Sequence, residues 1–220
     1  GFLKEARYQP TLHGPFSALR LDDIETLLLA PHDGVRLVFV NGFFAPQLSA
    51  LAGDHGGVVM TTLGGSLGDV PAAIRSHLDQ VAEHRHVFAA LNSALMSDGA
   101  CVLVPSAVQA SQPIELLHIS VGLDDPGISH PRHLVVLEDG ASARIVERYC
   151  SLGDAVYFNN ALVEVAVGAG RELVHERLQE ESSSAQHLSD LHVRLDAGSR
   201  YRLVQAALGA AWSRRDIRVL

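Results

Sequence analysis

Short apolar runs separated by small-residue turns recur through residues 130–208, and the recurrence has a fixed step. Gly140, Ala169 and Gly198 stand ~29 residues apart, inside the period range of solenoid repeats. They are preceded by the strand-like runs 133–138 (HLVVLE), 161–167 (ALVEVAV) and 191–195 (LHVRL). Five positions past each marker lie Ile145, Val174 and Leu203, and seven past lie Glu147, Glu176 and Gln205. Each unit reads as strand, tight turn, strand, loop. A unit of this length with no helical pattern buries its apolar face only by stacking on its neighbours, which predicts a β-solenoid. An antiparallel meander or jelly roll, with strands every ~8 to 12 residues, is the competing reading.

Upstream the pattern is mixed. Residues 21–29 (LDDIETLLL) fit a short helix or the approach to a strand, and residues 35–40 (VRLVFV) with Asn41-Gly42 and Phe43-Phe44 predict a hairpin. Residues 58–62 predict another strand, followed by the glycine-rich Gly64-Gly65-Ser66-Leu67-Gly68-Asp69. That loop lacks the Gly-Lys-Ser/Thr ending of a P-loop and the spacing of a dinucleotide fingerprint. Helix capping explains it more simply, with Asp69 as N-cap and Pro71 in the first turn. Ile74, Leu78, Val81, Val87, Leu91 and Leu95 give helical spacing over residues 71–96, broken near His84 to His86. Ser97-Asp98-Gly99 stops the helix, and strand patterns take over. The expected organisation is an N-terminal α/β region of residues 1–98 and a β-helix core of residues 99–220. Residues 101–104 and 114–119 form the first coil, with Leu116 one repeat step before Ile145.

Composition narrows the function classes. Apolar residues make up 47% of the 220 positions, which suits one substantial core or one large and one small domain. No apolar run approaches the roughly 18 to 20 residues of a membrane span, and no charged-then-apolar leader opens the sequence. A soluble, cytoplasmic protein with no membrane partner is expected. Gly1 suggests a tag remnant or a start inside a longer protein. The net charge is −8 and the seventeen basic residues are scattered, so no basic stripe invites nucleic acid. Cys101 and Cys150 form no Cys-x-x-Cys pair or four-ligand set and read as reduced strand residues.

Twelve histidines raise the question of a metal. His84 and His86 are two apart on a helical pattern and face different ways. His130 and His133 flank Pro131-Arg132 with no carboxylate at ligand spacing. His175-Glu176 begins a His-Glu-x-x-His pattern, but residue 179 is Gln and the segment reads as strand. No metal site is expected. If the repeat step is the coil length, Glu147 and Glu176 stack as a carboxylate pair, the feature a carbohydrate-active β-helix would use for acid–base work. The alternative is an outward polar row continued by Gln205, and aromatic residues, at 5%, are sparse for a sugar groove.

Six ordered blocks carry a resemblance: FAALNSALMSDG (88–99), VLVP (102–105), PRHLVVLEDGASARIVERY (131–149), YFNNALVEVAVGAG (157–170), HERLQEES (175–182) and RRDIRVL (214–220). Together they resemble the SufB/SufD family of the SUF iron–sulfur cluster assembly system. The SufB branch carries an EGCSAP-like stretch where residues 147–152 read ERYCSL, so the sequence looks closer to the SufD branch. The resemblance implies a right-handed parallel β-helix (β-solenoid), mainly β, flanked by helical regions. It implies a non-catalytic scaffold that pairs with a SufB-like paralogue and a SufC-like ATPase, or with a second copy of itself when alone. A transient iron–sulfur cluster and reduced flavin belong to the assembled complex and not to this chain. The family's cluster-associated histidine and its ATPase-binding helices lie later than the RRDIRVL block, so no functional residue is carried over. One more repeat step from Leu191 reaches Leu220, where a new strand is under way. The solenoid is therefore expected to continue past residue 220 or to be covered there by a partner.

Overall fold

Glycines in the left-handed backbone region turn the coils. Gly140 (φ 74°), Gly170 (φ 84°) and Gly198 (φ 70°) each stand in the tight turn after a strand, a conformation that a Cβ opposes. The middle marker of the repeat is therefore Gly170 and not Ala169, and the two steps are unequal, the second being the shorter.

The computed structural model describes residues 9–10, 19–29, 34–51, 53, 55–66, 70–82, 87–122 and 126–220. In chain order these form β1 (Gln9–Pro10), α1 (Leu21–Ile24), β2 (Val35–Val40), β3 (Phe43–Phe44), β4 (Val59–Thr62), α2 (Leu63–Ser66), α3 (Ala72–Arg75) and α4 (Val87–Leu95). The coil strands follow: β5 (Ala100–Val104), β6 (Ile114–Val121), β7 (Gly127–Ser129), β8 (Arg132–Leu137), β9 (Ala143–Leu152) and β10 (Tyr157–Val167). The last four are β11 (Glu172–Glu180), β12 (Gln186–Leu195), β13 (Arg200–Ala207) and β14 (Trp212–Val219).

Two sheets take alternate coil strands. Sheet A runs β4-β5-β8-β10-β12-β14, with β7 beside the start of β10 and β1 beside β7, and sheet B runs β3-β2-β6-β9-β11-β13. Every pairing between coils is parallel, which excludes the meander and the jelly roll. The fold is mainly β, a β-solenoid of about four turns with a small N-terminal helical region.

The coils shorten along the chain. Cys101 pairs with Leu134, Val135 with Val165, Val163 with Leu191, and Leu188 with Arg214, each pairing spanning less sequence than the one before it. A fixed repeat step therefore slips against the true register. Ile114, not Leu116, lies beside Ile145, and His175, not Val174, lies between Ile145 and Leu203.

Both outer faces of the first coils are covered, as parallel sheets require. Leu63, Val70 and Ile74 pack on Cys101, Leu103, Leu134 and Val136 of sheet A. Ile24, Ala45 and Leu48 pack on Val38, Val40, Leu117, Ile119 and Cys150 of sheet B. The predicted hairpin is present, with Asn41 and Gly42 at positive φ and Phe39 opposite Phe44, and its first strand pairs with β6 inside sheet B.

Residues 71–96, expected as helix with a break near His84 to His86, hold α3 and α4 among the described residues, and the first ends at Arg75 with turns from Ser76, earlier than the expected break. A buried carboxylate takes the chain out of helical geometry: Glu164 accepts the N–H groups of Asp79 (3.1 Å), Val81 (3.1 Å) and Ala82 (2.9 Å). Arg132 closes this cluster at 2.6 Å from Glu164 Oε1. Pro71 stands at the N-cap of α3, while Asp69, His84 and His86 lie outside the described residues. Asp98 joins three segments, accepting the N–H groups of Gly64 and Gly99 (both 2.7 Å) and Phe44 (2.9 Å). No helix among the described residues is long and apolar enough to cross a membrane.

Candidate functional site

Alternate residues of a strand point to one face, so Glu147 shares the inward face of Ile145. Inward positions change character along each strand. In sheet B, β9 turns inward Ala143 and Ile145, then Glu147, Tyr149 and Ser151. In sheet A, β12 turns inward His187 and Ser189, then Leu191 and Val193. The two sheets meet so that apolar halves face apolar halves, giving a core of Val135, Ile145, Val163, Val165, Leu191 and others. The polar halves also meet, and a closed row of polar side chains runs along the inside of the solenoid.

Glu147, 1% exposed, is the centre of this row. His175 Nε2 lies 2.8 Å from Glu147 Oε2 and Arg177 Nε 3.4 Å from Oε1. Burial would push the carboxyl up, but Arg177 and His175 overcome it and hold it well below the usual carboxylate range. Arg177 reaches on to Ser189 Oγ (2.8 Å) and His187 Nε2 (2.5 Å), with its guanidinium carbon 4.9 Å from the centre of the Tyr149 ring. His187 Nδ1 lies 2.7 Å from Glu181 Oε2. Glu181 also accepts from Gln179 (2.9 Å), Asn159 (2.6 Å) and Tyr157 (3.1 Å). Burial raises this carboxyl too, and His187 leads the groups that bring it below its ordinary value. Ser129 donates to Asn159 at one end of the row, and Arg215 donates to Gln205 at the other. Burial and the nearby Arg177 bring the Arg215 guanidinium down to about 10.

Two histidines occupy the boundary between the polar and apolar halves. The Ala100 N–H donates to His133 Nδ1 at 2.9 Å, so neutral His133 carries its proton on Nε2 and donates it to His118 Nε2 at 2.8 Å. His118 is stacked between Phe39 (5.0 Å) and Tyr149 (4.6 Å). Burial brings His133 down to about 4 and, with His133 beside it, takes His118 well below its ordinary value. The hydrogen-bond direction leaves His133 Nε2 without a lone pair for a metal. Among the described residues no three His, Cys, Asp or Glu side chains are grouped to hold a metal ion.

The expected stacking of Glu147 on Glu176 is corrected by the register. Glu147 pairs with Arg177, and Arg177 with Gln205, while Glu176 pairs with Val146 and Val204. A one-residue slip moves a side chain to the other face. Glu176 is outside, bonded to Arg144 at 2.7 Å, and Glu147 is inside. They form neither a catalytic pair nor one outward row. The inward Glu147, His175, Arg177, Glu181 and His187 network was missed by the sequence reading, although the spacing of two between Ile145 and Glu147 announced a shared face. Cys101 and Cys150 are free and buried on the outer faces of different sheets. Burial, with Asp98 next in weight, pushes the Cys101 thiol up to about 12, and burial pushes Cys150 up to about 11. Neither presents a thiolate ligand at neutral pH.

Comparison with known proteins matches both parts of the chain. Residues 32–116 match the SufBD protein N-terminal region, and residues 119–220 match the SUF system FeS cluster assembly, SufBD core domain. An iron–sulfur cluster assembly SufBD family protein of Synechocystis is 31% identical over 192 residues, 84% of this chain and 42% of the relative. The iron–sulfur cluster assembly protein SufD of Escherichia coli is 30% identical over 169 residues, 75% of this chain and 37% of that protein. SufD of Bacillus subtilis is 30% identical over 52% of this chain and 28% of its own length. The chain thus spans about two fifths of the first two relatives. With coils, turn glycines and two adjoining family regions all in agreement, this chain belongs to the SufB/SufD family.

Proposed function

We propose that the chain is the N-terminal region and first coils of a SufD-like scaffold subunit, which serves iron–sulfur cluster assembly without catalysing a reaction itself. The observation that carries this reading is family membership combined with an interior that is closed on itself. Glu147 and Glu181, the carboxylates an acid–base enzyme would offer to a substrate, are 1% and 6% exposed and lie at ion-pair distance from buried His175, Arg177 and His187. Similarity to proteins named SufD in two bacteria supports that branch over SufB.

In this reading the full-length protein works in the cytoplasm. It pairs through its β-helix with a SufB-like paralogue, binds a SufC-like ATPase through later helices, and self-associates when alone. The cluster passes through the assembled complex as cargo, reduced flavin acts there, and this chain holds neither. The test is gentle anaerobic purification of the tagged full-length protein. A SufB-like and a SufC-like polypeptide should co-purify in stoichiometric amounts, and recovery of the protein without either would overturn the assignment. The 220-residue chain should be colourless, and elemental analysis finding tightly held iron or zinc would contradict its role as a bare scaffold segment.

A further inference from the structure

Tyr201, His175 and Glu147 come from three adjacent strands of sheet B and form one line of contacts. The Tyr201 hydroxyl lies 2.7 Å from His175 Nδ1, and His175 Nε2 lies 2.8 Å from Glu147 Oε2. An ionised carboxylate carries no proton to share, so the tautomer with its ring proton on Nε2, the Glu147 side, leaves a lone pair on Nδ1 facing the phenol. The two rings meet edge to face with centres 6.0 Å apart. A base within hydrogen-bond reach of an O–H, itself oriented by an acid, is the arrangement that moves a proton in concert with another event.

The surroundings decide which event. Burial first and Glu147 second push the Tyr201 phenol well above its ordinary value, so the phenolate is disfavoured and Tyr201 is a poor nucleophile. A neutral phenoxyl radical carries no charge, and the positive charge left by the electron's departure rests on His175, 2.8 Å from the Glu147 carboxylate. The geometry points to Tyr201 as a one-electron donor site whose proton passes to His175. An outer-sphere one-electron oxidant takes one electron from the phenol. The O–H bond breaks, a new N–H bond forms at His175 Nδ1, and the resulting imidazolium sits at ion-pair distance from Glu147. An electron returned by a reductant and the proton returned by His175 restore the phenol.

Neither of the other two described tyrosines has this arrangement. Tyr149 lies under the Arg177 guanidinium, a cation that opposes removal of an electron. Tyr157 donates to Glu181, and a carboxylate is a weaker base than an imidazole. This activity goes beyond the scaffold reading and does not depend on it.

The test is flash oxidation of the 220-residue chain by a photogenerated ruthenium(III) polypyridine, followed by transient absorption and electron paramagnetic resonance. The wild type should give a tyrosyl radical that forms more slowly in deuterated solvent. Tyr201→Phe, which removes one hydroxyl, should lose that signal, with a thermal melt confirming that the fold is retained. His175→Gln should keep the tyrosine but lose the solvent isotope effect. An undiminished tyrosyl signal in Tyr201→Phe, a radical confined to Trp212, or a wild-type rate indifferent to deuterium would each overturn the proposal. The last two outcomes need no variant to fold.

Discussion

Lowering the pH should weaken this fold before any carboxylate is titrated, and His133 sets much of the effect. It is fully enclosed by Phe39, His118 and the start of β5, and burial lowers it from 6.5 to about 4. Glu147 favours its charged form, while His175 and Arg177 oppose it. Because the folded value is depressed for a base, the unfolded chain binds the proton more readily. Stability is therefore complete above about pH 6.5 and is lost as pH falls toward about 4. The full difference corresponds to roughly 3 kcal/mol, of which about 2 kcal/mol is lost between about pH 7 and about pH 5. His130, also lowered to about 4 by burial, adds a loss of similar direction over the same window. The assay is urea unfolding of the wild type and of His133→Gln at both pH values. Glutamine can accept from Ala100 and donate to His118 but does not titrate, so its pH slope should be shallower by about 2 kcal/mol. Equal slopes in the two proteins would refute the reasoning.

Other substitutions test the register and the corners. Glu147→Leu should cost roughly 3 to 5 kcal/mol, because it strands the buried Arg177 charge. Glu176→Leu, which breaks an exposed pair with Arg144, should change the unfolding midpoint by the equivalent of less than about 1 kcal/mol. A Cβ on Gly99 would meet Arg132 O at 1.6 Å, so Gly99→Ala should yield little folded protein by circular dichroism while Gly122→Ala, whose Cβ would meet only Ala155 Cβ at 3.4 Å, folds. Asp98→Ala leaves three N–H groups without their carboxylate and should lower stability by roughly 3 kcal/mol or more in denaturant titration. Glu164→Gln should speed amide exchange at Asp79, Val81 and Ala82 before it affects the strands.

The solenoid was legible because its punctuation is chemical: glycine at a tight turn, followed by an apolar strand, recurs at a nearly constant interval. The register was not legible from that interval. Successive coils grow shorter, as the pairs Cys101 with Leu134, Val135 with Val165, Val163 with Leu191 and Leu188 with Arg214 record. They share no period, and choosing Ala169 in place of Gly170 moved one strand out of phase with its neighbours. The positive φ of Gly170 is the physical reason the turn is centred there, and a glycine-only marker would have placed it. The polar interior was obscured for a different reason. Charged residues in a strand usually mark the solvent face, and His175, Arg177 and Gln179 look like an outward row until the inward phase of Ile145 and Leu173 is extended by twos. The helical spacing of residues 71–96 is real, yet Glu164, far later in the chain, captures the amides of its middle. Local propensity yields there to a long-range hydrogen-bond acceptor.

A solenoid of unequal coils has to choose its register against close competitors, and its apolar half chooses poorly. Val, Leu and Ile recur at every second residue of that half, as in Val163, Val165 and Val167, so a two-residue slip would exchange one branched aliphatic for another at small cost. The polar half removes that degeneracy. A one-residue slip of β9 would turn Glu147 to the outside and Val146 inward against Arg177, leaving a buried guanidinium facing a methyl group. A two-residue slip would set Tyr149 or Ile145 beside Arg177 in place of its carboxylate. Glu181, with three side-chain donors from β10 and β11 and His187 of β12 at ion-pair distance, imposes the same constraint on the next coil. A buried ion pair of this kind adds little net stability over an apolar equivalent, and its contribution here lies in making every wrong alignment expensive.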